Sequence, residues 1–187
     1  MPEDKIFSAY TKEQGHAYAQ SRLRYHQSLY DAIISQHTST GGQLDTLMDV
    51  GCGPGIAVRA LAPRFIHAIG LDHSQGMIES ARTLGGSTST SEPIRFEVSG
   101  AEELGNNLSP PLPEGSIDLI TAATAAHWFD MERFWPRAAE MLKPGGSIAL
   151  WISGDIHAHP SMPNAAAIQA AIDRHREQYL EPFYLPS

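Results

Sequence analysis

Apolar and polar positions along the chain switch between two periods. Short, mostly apolar runs recur at Thr46–Val50, His67–Asp72, Ile94–Val98, Ile117–Ala123 and Ser147–Ile152, and their length and β-branched content predict strands. Ile117–Ala123 is the most continuously apolar, which places it inside a sheet with both faces covered. Between these runs the spacing is helical. Leu23, Leu29, Tyr30, Ile33 and Ile34 predict an amphipathic helix over 21–37. Further helices are expected over 54–62, from a Ser74 cap to about Leu84, over 131–142 with Pro136 starting a new turn after a break, and over the Ala-rich 164–179. Lys143-Pro144-Gly145-Gly146 terminates the fourth of these. Gly85–Ser91 reads as a flexible loop, and Asn106–Pro113, with three prolines, is neither helix nor central strand.

Strands alternating with helices predict an α/β fold, a mostly parallel sheet with helices on both faces. Ligands of such sheets lie beyond the carboxyl ends of the strands, so the residues that follow each strand carry the functional reading. The 187 residues suit one domain of ordinary size. A net charge of −8 argues against nucleic acid and anionic membranes as partners. The lone cysteine, Cys52, excludes an intrachain disulfide and a cysteine-based zinc site. The charged start Met1-Pro2-Glu3-Asp4-Lys5 lacks a signal-peptide core, and no run of about 18 apolar residues is present, so the default expectation is a cytoplasmic protein.

The first strand runs into Asp49-Val50-Gly51-Cys52-Gly53-Pro54-Gly55. Glycines there allow a sharp turn and close approach of a ligand. The dinucleotide fingerprint G-x-G-x-x-G would need glycine at position 56, which is Ile56. Asp49 just before the turn repels a pyrophosphate and favours a ligand with positive charge. Asp72, ending the second strand, can accept both hydroxyls of a ribose, each bond being worth roughly 1.5–3 kcal/mol. A ribose and a cation together describe S-adenosylmethionine. Ala101-Glu102, after the third strand, stands where an adenine would be read.

With these residues in hand, the chain resembles the class I S-adenosylmethionine-dependent methyltransferases. Leu47–Gly55 is similar to that superfamily's first motif, Gly70–Ser74 with Met77-Ile78 to its second, and Leu142–Ser147 to the turn before its fifth strand. Asp118–Asp130 and Tyr18–Tyr25 resemble the trans-aconitate methyltransferase-like group, particularly its fungal branch, although Leu23 and His26 stand where that group has prolines. The resemblance implies a Rossmann-like fold with S-adenosylmethionine as cofactor and the following contacts. Asp49, Gly51 and Gly53 line the methionine end. Asp72 holds the ribose, with His73 and Met77 beside the adenine and Ala101-Glu102 against it. Ala123-Thr124 lies near the methyl-bearing sulfur, and Tyr18 and Arg22 close over the methionine carboxylate. It further implies three regions: an N-terminal helical cap (1–40), a cofactor-binding core (41–153) and a C-terminal helical tail (154–187).

His127 and Trp128 follow the fourth strand. His127 is the candidate base or acceptor ligand, and Trp128 the candidate wall of the acceptor pocket; the alternative is that both pack under a lid. His157 and His159 lack a third ligand, so no metal is expected. Cys52 reads as a space-filler near the cofactor rather than a nucleophile. The Trp128, Phe129, Phe134, Trp135 cluster reads as core before cofactor box.

The superfamily sheet has seven strands, and no strand pair is visible after Ile152. The fifth strand would then present an open edge, through a shortened chain or one covered by the C-terminal helix or a partner copy. The leading expectation is a methyltransferase acting on a small molecule, with a carboxylic acid as the analogy-based acceptor. A non-catalytic cofactor-binding or interaction protein with an incomplete acceptor site is the alternative, and a nicotinamide oxidoreductase is disfavoured by the glycine spacing and Asp49.

Overall fold

The computed structural model describes residues 10–154 and 157–179. The chain divides into two compact units, 1–152 and 153–187. The larger carries helices α1 (Lys12–Ser21), α2 (Gln27–Ser39), α3 (Ile56–Leu61), α4 (Gln75–Leu84) and α5 (Met131–Met141). Its strands are β1 (Thr46–Val50), β2 (His67–Asp72), β3 (Arg95–Val98), β4 (Ile117–Ala123) and β5 (Leu142–Trp151). The smaller holds α6 (Ala165–Tyr179).

All five strands pair in parallel in the order β3-β2-β1-β4-β5, so the Rossmann-like expectation holds. Neighbouring residues of one strand face opposite sides, and the core divides accordingly. Leu47 and Leu119 join one apolar cluster with α3 residues Val58 and Leu61 and with Phe65. Met48 and Ile120 join another with Phe134, Ala138 and Met141 of α5. Phe65 and Phe134 are fully buried, each contributing about 1.5–3 kcal/mol through removal from water.

Ser74 caps α4 as expected, accepting a hydrogen bond from the Met77 N–H. Three elements depart from the sequence reading. The helix expected over 21–37 begins only at Gln27, as α2; residues 22–26 are not helical, a helix not expected from the sequence, α1, ends at Ser21, and Leu23, counted on the apolar face, is 86% exposed. α1 has no apolar stripe; a capping box between Thr11 and Gln14 starts it. Its Gly15 sits against Gly76 and Ser80 of α4, where an added Cβ would lie 3.1 Å from each. The break expected at Pro136 is absent and α5 runs through it. A helix-interior proline costs about 3 kcal/mol. Burial of Phe134, Ala138 and Met141 along one face of α5 offsets that cost.

β5 also begins earlier than expected, directly after α5. The step from Ile117 to Leu119 on β4 is matched by the step from Leu142 to Ser147 on β5, so Lys143–Gly146 bulges out of the ladder. The bulge brings Lys143 Nζ to 2.8 Å from buried Asp118 and 3.0 Å from Asp45. Asp118 also accepts the Thr46 N–H at 2.8 Å, which ties the starts of β1, β4 and β5 together. Their opposite ends are left to build a site.

Candidate functional site

The carboxyl ends of β1, β2, β3 and β4 open into a cavity of about 450 Å³, within the range of small-molecule sites. Gly51 and Gly53 have φ of +62° and +53°. An added Cβ on Gly51 would fall 2.6 Å from the Ala125 Cβ, whereas one on Gly53 would meet nothing within 4 Å. Gly51 therefore serves packing, and Gly53 leaves room for a ligand to approach its backbone.

Asp72 fixes this loop. Its Oδ2 accepts the Gly53 N–H and its Oδ1 accepts the Ser74 N–H, both at 2.8 Å. The His73 Nδ1 lies 3.7 Å from Oδ1, and a carboxylate oxygen can accept more than one hydrogen bond. The Cys52 N–H donates to Leu71 O at 2.9 Å and binds the loop to β2. Burial pushes the Cys52 thiol well above its usual range, with the charges of Asp72 and Asp49 adding to the effect. A thiol held protonated is no nucleophile.

On the third strand's side, Ser99 Oγ donates to Asn107 Oδ1 at 2.7 Å and receives the Gly105 N–H at 2.9 Å, shaping the wall there. Glu102 accepts the Asp130 N–H at 2.8 Å, which links this wall to the start of α5. On the fourth strand's side, Thr124 is held at φ +54° while its N–H donates to Trp151 O at 2.7 Å. Tyr18 and Arg22 reach the cavity from α1 and the stretch after it, with the guanidinium 5.9 Å from the Tyr18 ring centroid.

All the expected contact residues except Asp49 and His127 line this cavity. Asp49 is buried behind the glycine loop, only 1% exposed. It is the cross-strand partner of Thr121, whose hydroxyl donates to Asp49 Oδ1 at 2.6 Å. Its Oδ2 makes no hydrogen bond. Burial raises its pKa from 3.8 to about 7; the Thr121 hydroxyl and the nearby Val58 backbone oppose this, and the charge of Asp72 adds to it. His127 is exposed, on the 3₁₀ turn Ala126–Trp128, with its ring centroid 4.8 Å from that of Trp128. Tyr25, Ser99 and Phe129 also line the cavity and were not singled out as ligand contacts from the sequence. The aromatic cluster divides: Phe134 is core, Phe129 is buried yet reaches the cavity, and Trp128 and Trp135 are 41% and 47% exposed.

The donor set suits a ligand with vicinal hydroxyls, a cation and one carboxylate. Asp72 supplies a carboxylate at the cavity, Asp49 a buried acid behind the turn, and Arg22 a guanidinium. Residues 48–150 match the family model of the methyltransferase domain. The chain belongs to the S-adenosylmethionine-dependent methyltransferase family. S-adenosylmethionine is the cofactor of this family, and the donor set fits it.

A Dictyostelium discoideum protein assigned as a methyltransferase is 35% identical over 138 residues, covering 74% of this chain and 46% of that protein. A Saccharomyces cerevisiae protein assigned as an S-adenosylmethionine-dependent methyltransferase is 32% identical over 134 residues, 72% of this chain and 43% of its own. A solved protein from Anaeromyxobacter dehalogenans, assigned as a type II methyltransferase, superposes with a TM-score of 0.67 at 26% identity, covering 89% of this chain and 61% of that one. The methyltransferase domain here spans less than half the length of these curated relatives. Among the described residues, no helix is long and apolar enough to cross a membrane, and no cluster of His, Cys, Asp and Glu is arranged to hold a metal.

The raised Asp49 pKa makes a signed expectation. Between about pH 4 and 7 the folded chain keeps a proton on Asp49 that the unfolded chain releases. The stability this group confers is therefore complete below about pH 4 and is lost as pH rises through about 7. Urea melts should show wild-type stability falling across that window relative to Asp49→Asn, by up to a few kcal/mol, on the order of one kcal/mol per pKa unit. Parallel pH profiles of the two proteins would contradict it.

Proposed function

We propose that this chain is the cofactor-binding part of an enzyme that transfers the methyl group of S-adenosylmethionine to a small molecule, with a carboxylic acid as acceptor. The region 1–40 serves as a cap over the cofactor, 41–153 as the binding core and 154–187 as a tail that carries α6; of these, residues 1–9, 155–156 and 180–187 lie outside the described residues. In this reading Asp72 receives the ribose hydroxyls, while His73, Met77 and Ala101-Glu102 flank the adenine. Gly51, Gly53, Tyr18 and Arg22 surround the methionine end, and Ala123-Thr124 borders the sulfur.

The observation that carries the acceptor class is the chemistry of the cavity wall beyond β4. It offers the hydroxyls of Tyr25 and Thr124 and the rings of Trp128 and Phe129. Among the described residues no histidine or carboxylate stands on that wall; His73, Asp72 and Glu102 line the cavity on the side of β2 and β3, and His127 is not among the lining residues. A hydroxyl or amine acceptor needs a base to take its proton, whereas a carboxylate attacks as it is. S-adenosylmethionine, when bound, supplies a methyl group on a positively charged sulfur, open to in-line displacement. The wall then has only to align an oxygen with that methyl, and alignment alone can supply roughly 7–11 kcal/mol. The aromatic rings exclude water from the path.

The test is incubation of the chain with S-adenosylmethionine and a panel of small carboxylic acids, phenols and amines, with products read by mass spectrometry. Methyl esters are expected, and His127→Ala should retain turnover. A loss of about 10²–10⁴-fold in that variant would restore the base and favour a hydroxyl or amine acceptor. Cofactor binding without any product would favour the non-catalytic alternative. The same reading includes self-association through β5, which pairs only with β4 among the described residues. A monodisperse monomer in light scattering at high concentration would remove that part.

A further inference from the structure

Tyr25 lies in the non-helical stretch between α1 and α2, with its ring edge-on to Tyr30 and Trp151 at centroid distances of 6.3 and 5.6 Å. Packing of the ring thus sets where its hydroxyl stands. That hydroxyl is 2.8 Å from Thr124 Oγ1, just past the end of β4. Thr124 is held on its backbone as well. Its N–H donates to Trp151 O at 2.7 Å, and its φ of +54° is one that a β-branched residue rarely adopts. Such strain persists where surrounding contacts fix the residue, and it gathers at ligand sites. A hydrogen bond between two hydroxyls uses one of their two protons, whichever oxygen donates. The other proton stays on the accepting oxygen, so the pair holds one donor beyond its own bond.

Both residues line the cavity. The sheet order β2-β1-β4 puts them across the glycine loop from Asp72, beside Trp128 and Phe129, which follow the same strand. The Ser99 hydroxyl, on the side of β3, is already engaged with Asn107 and the Gly105 N–H. A carboxylate acceptor has two oxygens. One forms the new bond to the methyl carbon as the carbon–sulfur bond breaks, the electron pair of that bond staying on sulfur, and no proton moves. The other oxygen needs a donor, because a charged oxygen left without a hydrogen bond against aromatic rings is costly. We propose that the Tyr25–Thr124 hydroxyl pair binds the acceptor, donating one hydrogen bond to the carboxylate oxygen that does not attack. The inference rests on the carboxylate reading given under the proposed function.

Ligand-observed NMR titrations of the chain saturated with S-adenosylhomocysteine test it, with benzoate and hexanoate as an aromatic and an aliphatic probe. Calorimetry of S-adenosylhomocysteine alone is the control. The wild type should bind at least one acid. The double variant Tyr25→Phe, Thr124→Val keeps the packed ring and the branched Cβ but has neither hydroxyl. Its affinity for that acid should fall about ten- to a hundredfold, the effect of one lost hydrogen bond to a charged oxygen. Tyr25→Phe alone should bind S-adenosylhomocysteine as the wild type does, and Thr124→Ser, which keeps its oxygen, should bind the acid as the wild type does. Should the double variant not fold, the two single variants carry the test, and the larger of their losses names the oxygen that holds the free proton. Unchanged acid affinity without the hydroxyls overturns the proposal. So does a parallel loss of S-adenosylhomocysteine affinity in Tyr25→Phe, which would give the pair to the cofactor. Binding of neither acid by the saturated wild type overturns the carboxylate reading and this inference with it, whereas failure to bind S-adenosylhomocysteine overturns the cofactor placement.

Discussion

Asp72→Ala should bind S-adenosylhomocysteine too weakly for calorimetry to detect at concentrations that saturate the wild type. Two effects combine. The variant loses the carboxylate proposed to accept the two ribose hydroxyls, each bond worth roughly 1.5–3 kcal/mol with a charged partner, together about 10²–10⁴-fold in affinity. It also leaves the N–H groups of Gly53 and Ser74 without the carboxylate that each donates to at 2.8 Å, so the glycine turn loses its anchor. Asp72→Asn separates the two. An amide keeps one acceptor oxygen and turns its NH₂ toward a backbone donor, so binding should be weak but measurable. Thermal melts of both variants establish that they are folded. Wild-type affinity in folded Asp72→Ala would remove Asp72 from the cofactor site.

The glycine loop gives the second large effect, and its two glycines should respond differently. Gly51→Ala places a Cβ 2.6 Å from the Ala125 Cβ, in backbone at φ +62°. Left-handed strain of roughly 1–2 kcal/mol adds to overpacking of about 1–3 kcal/mol, so denaturant melts should show destabilisation of about 2–5 kcal/mol. Gly53→Ala carries the same kind of strain but its Cβ meets open space, so stability should fall by only about 1–2 kcal/mol. Its Cβ instead occupies room meant for the ligand, and cofactor affinity should fall more than stability does. Equal stability losses in the two variants would contradict the separate roles assigned to these glycines.

What could be read from the sequence was local. Thr46–Val50, His67–Asp72 and Ile117–Ala123 occur as strands with the expected limits because each is a short apolar run closed by turn or polar residues. Asp72 and the glycine loop were legible because each closes a strand, and parallel pairing of β1 with β2 sets those strand ends side by side. The N-terminal region was not. α1 rests on α4 through Gly15 and Gly76, a contact without any apolar period, and only the Thr11–Gln14 capping box marks it in the chain. The hydrogen bond between Tyr25 and Thr124 joins residues 99 positions apart, beyond the reach of spacing arguments. His127 follows a strand at the mouth of the sheet; the 3₁₀ turn puts Trp128 and Phe129 against the cavity and leaves His127 exposed. Asp49 likewise precedes the glycines in sequence but lies behind them in space, because its strand register pairs it with Thr121.

A crystal structure of the chain with S-adenosylhomocysteine measures the central assignment directly. The account requires the ribose hydroxyls on the Asp72 carboxylate, the chain of the ligand across Gly53, and its carboxylate at Arg22. A ligand seated elsewhere, or in this cavity with its ribose turned away from Asp72, would contradict it.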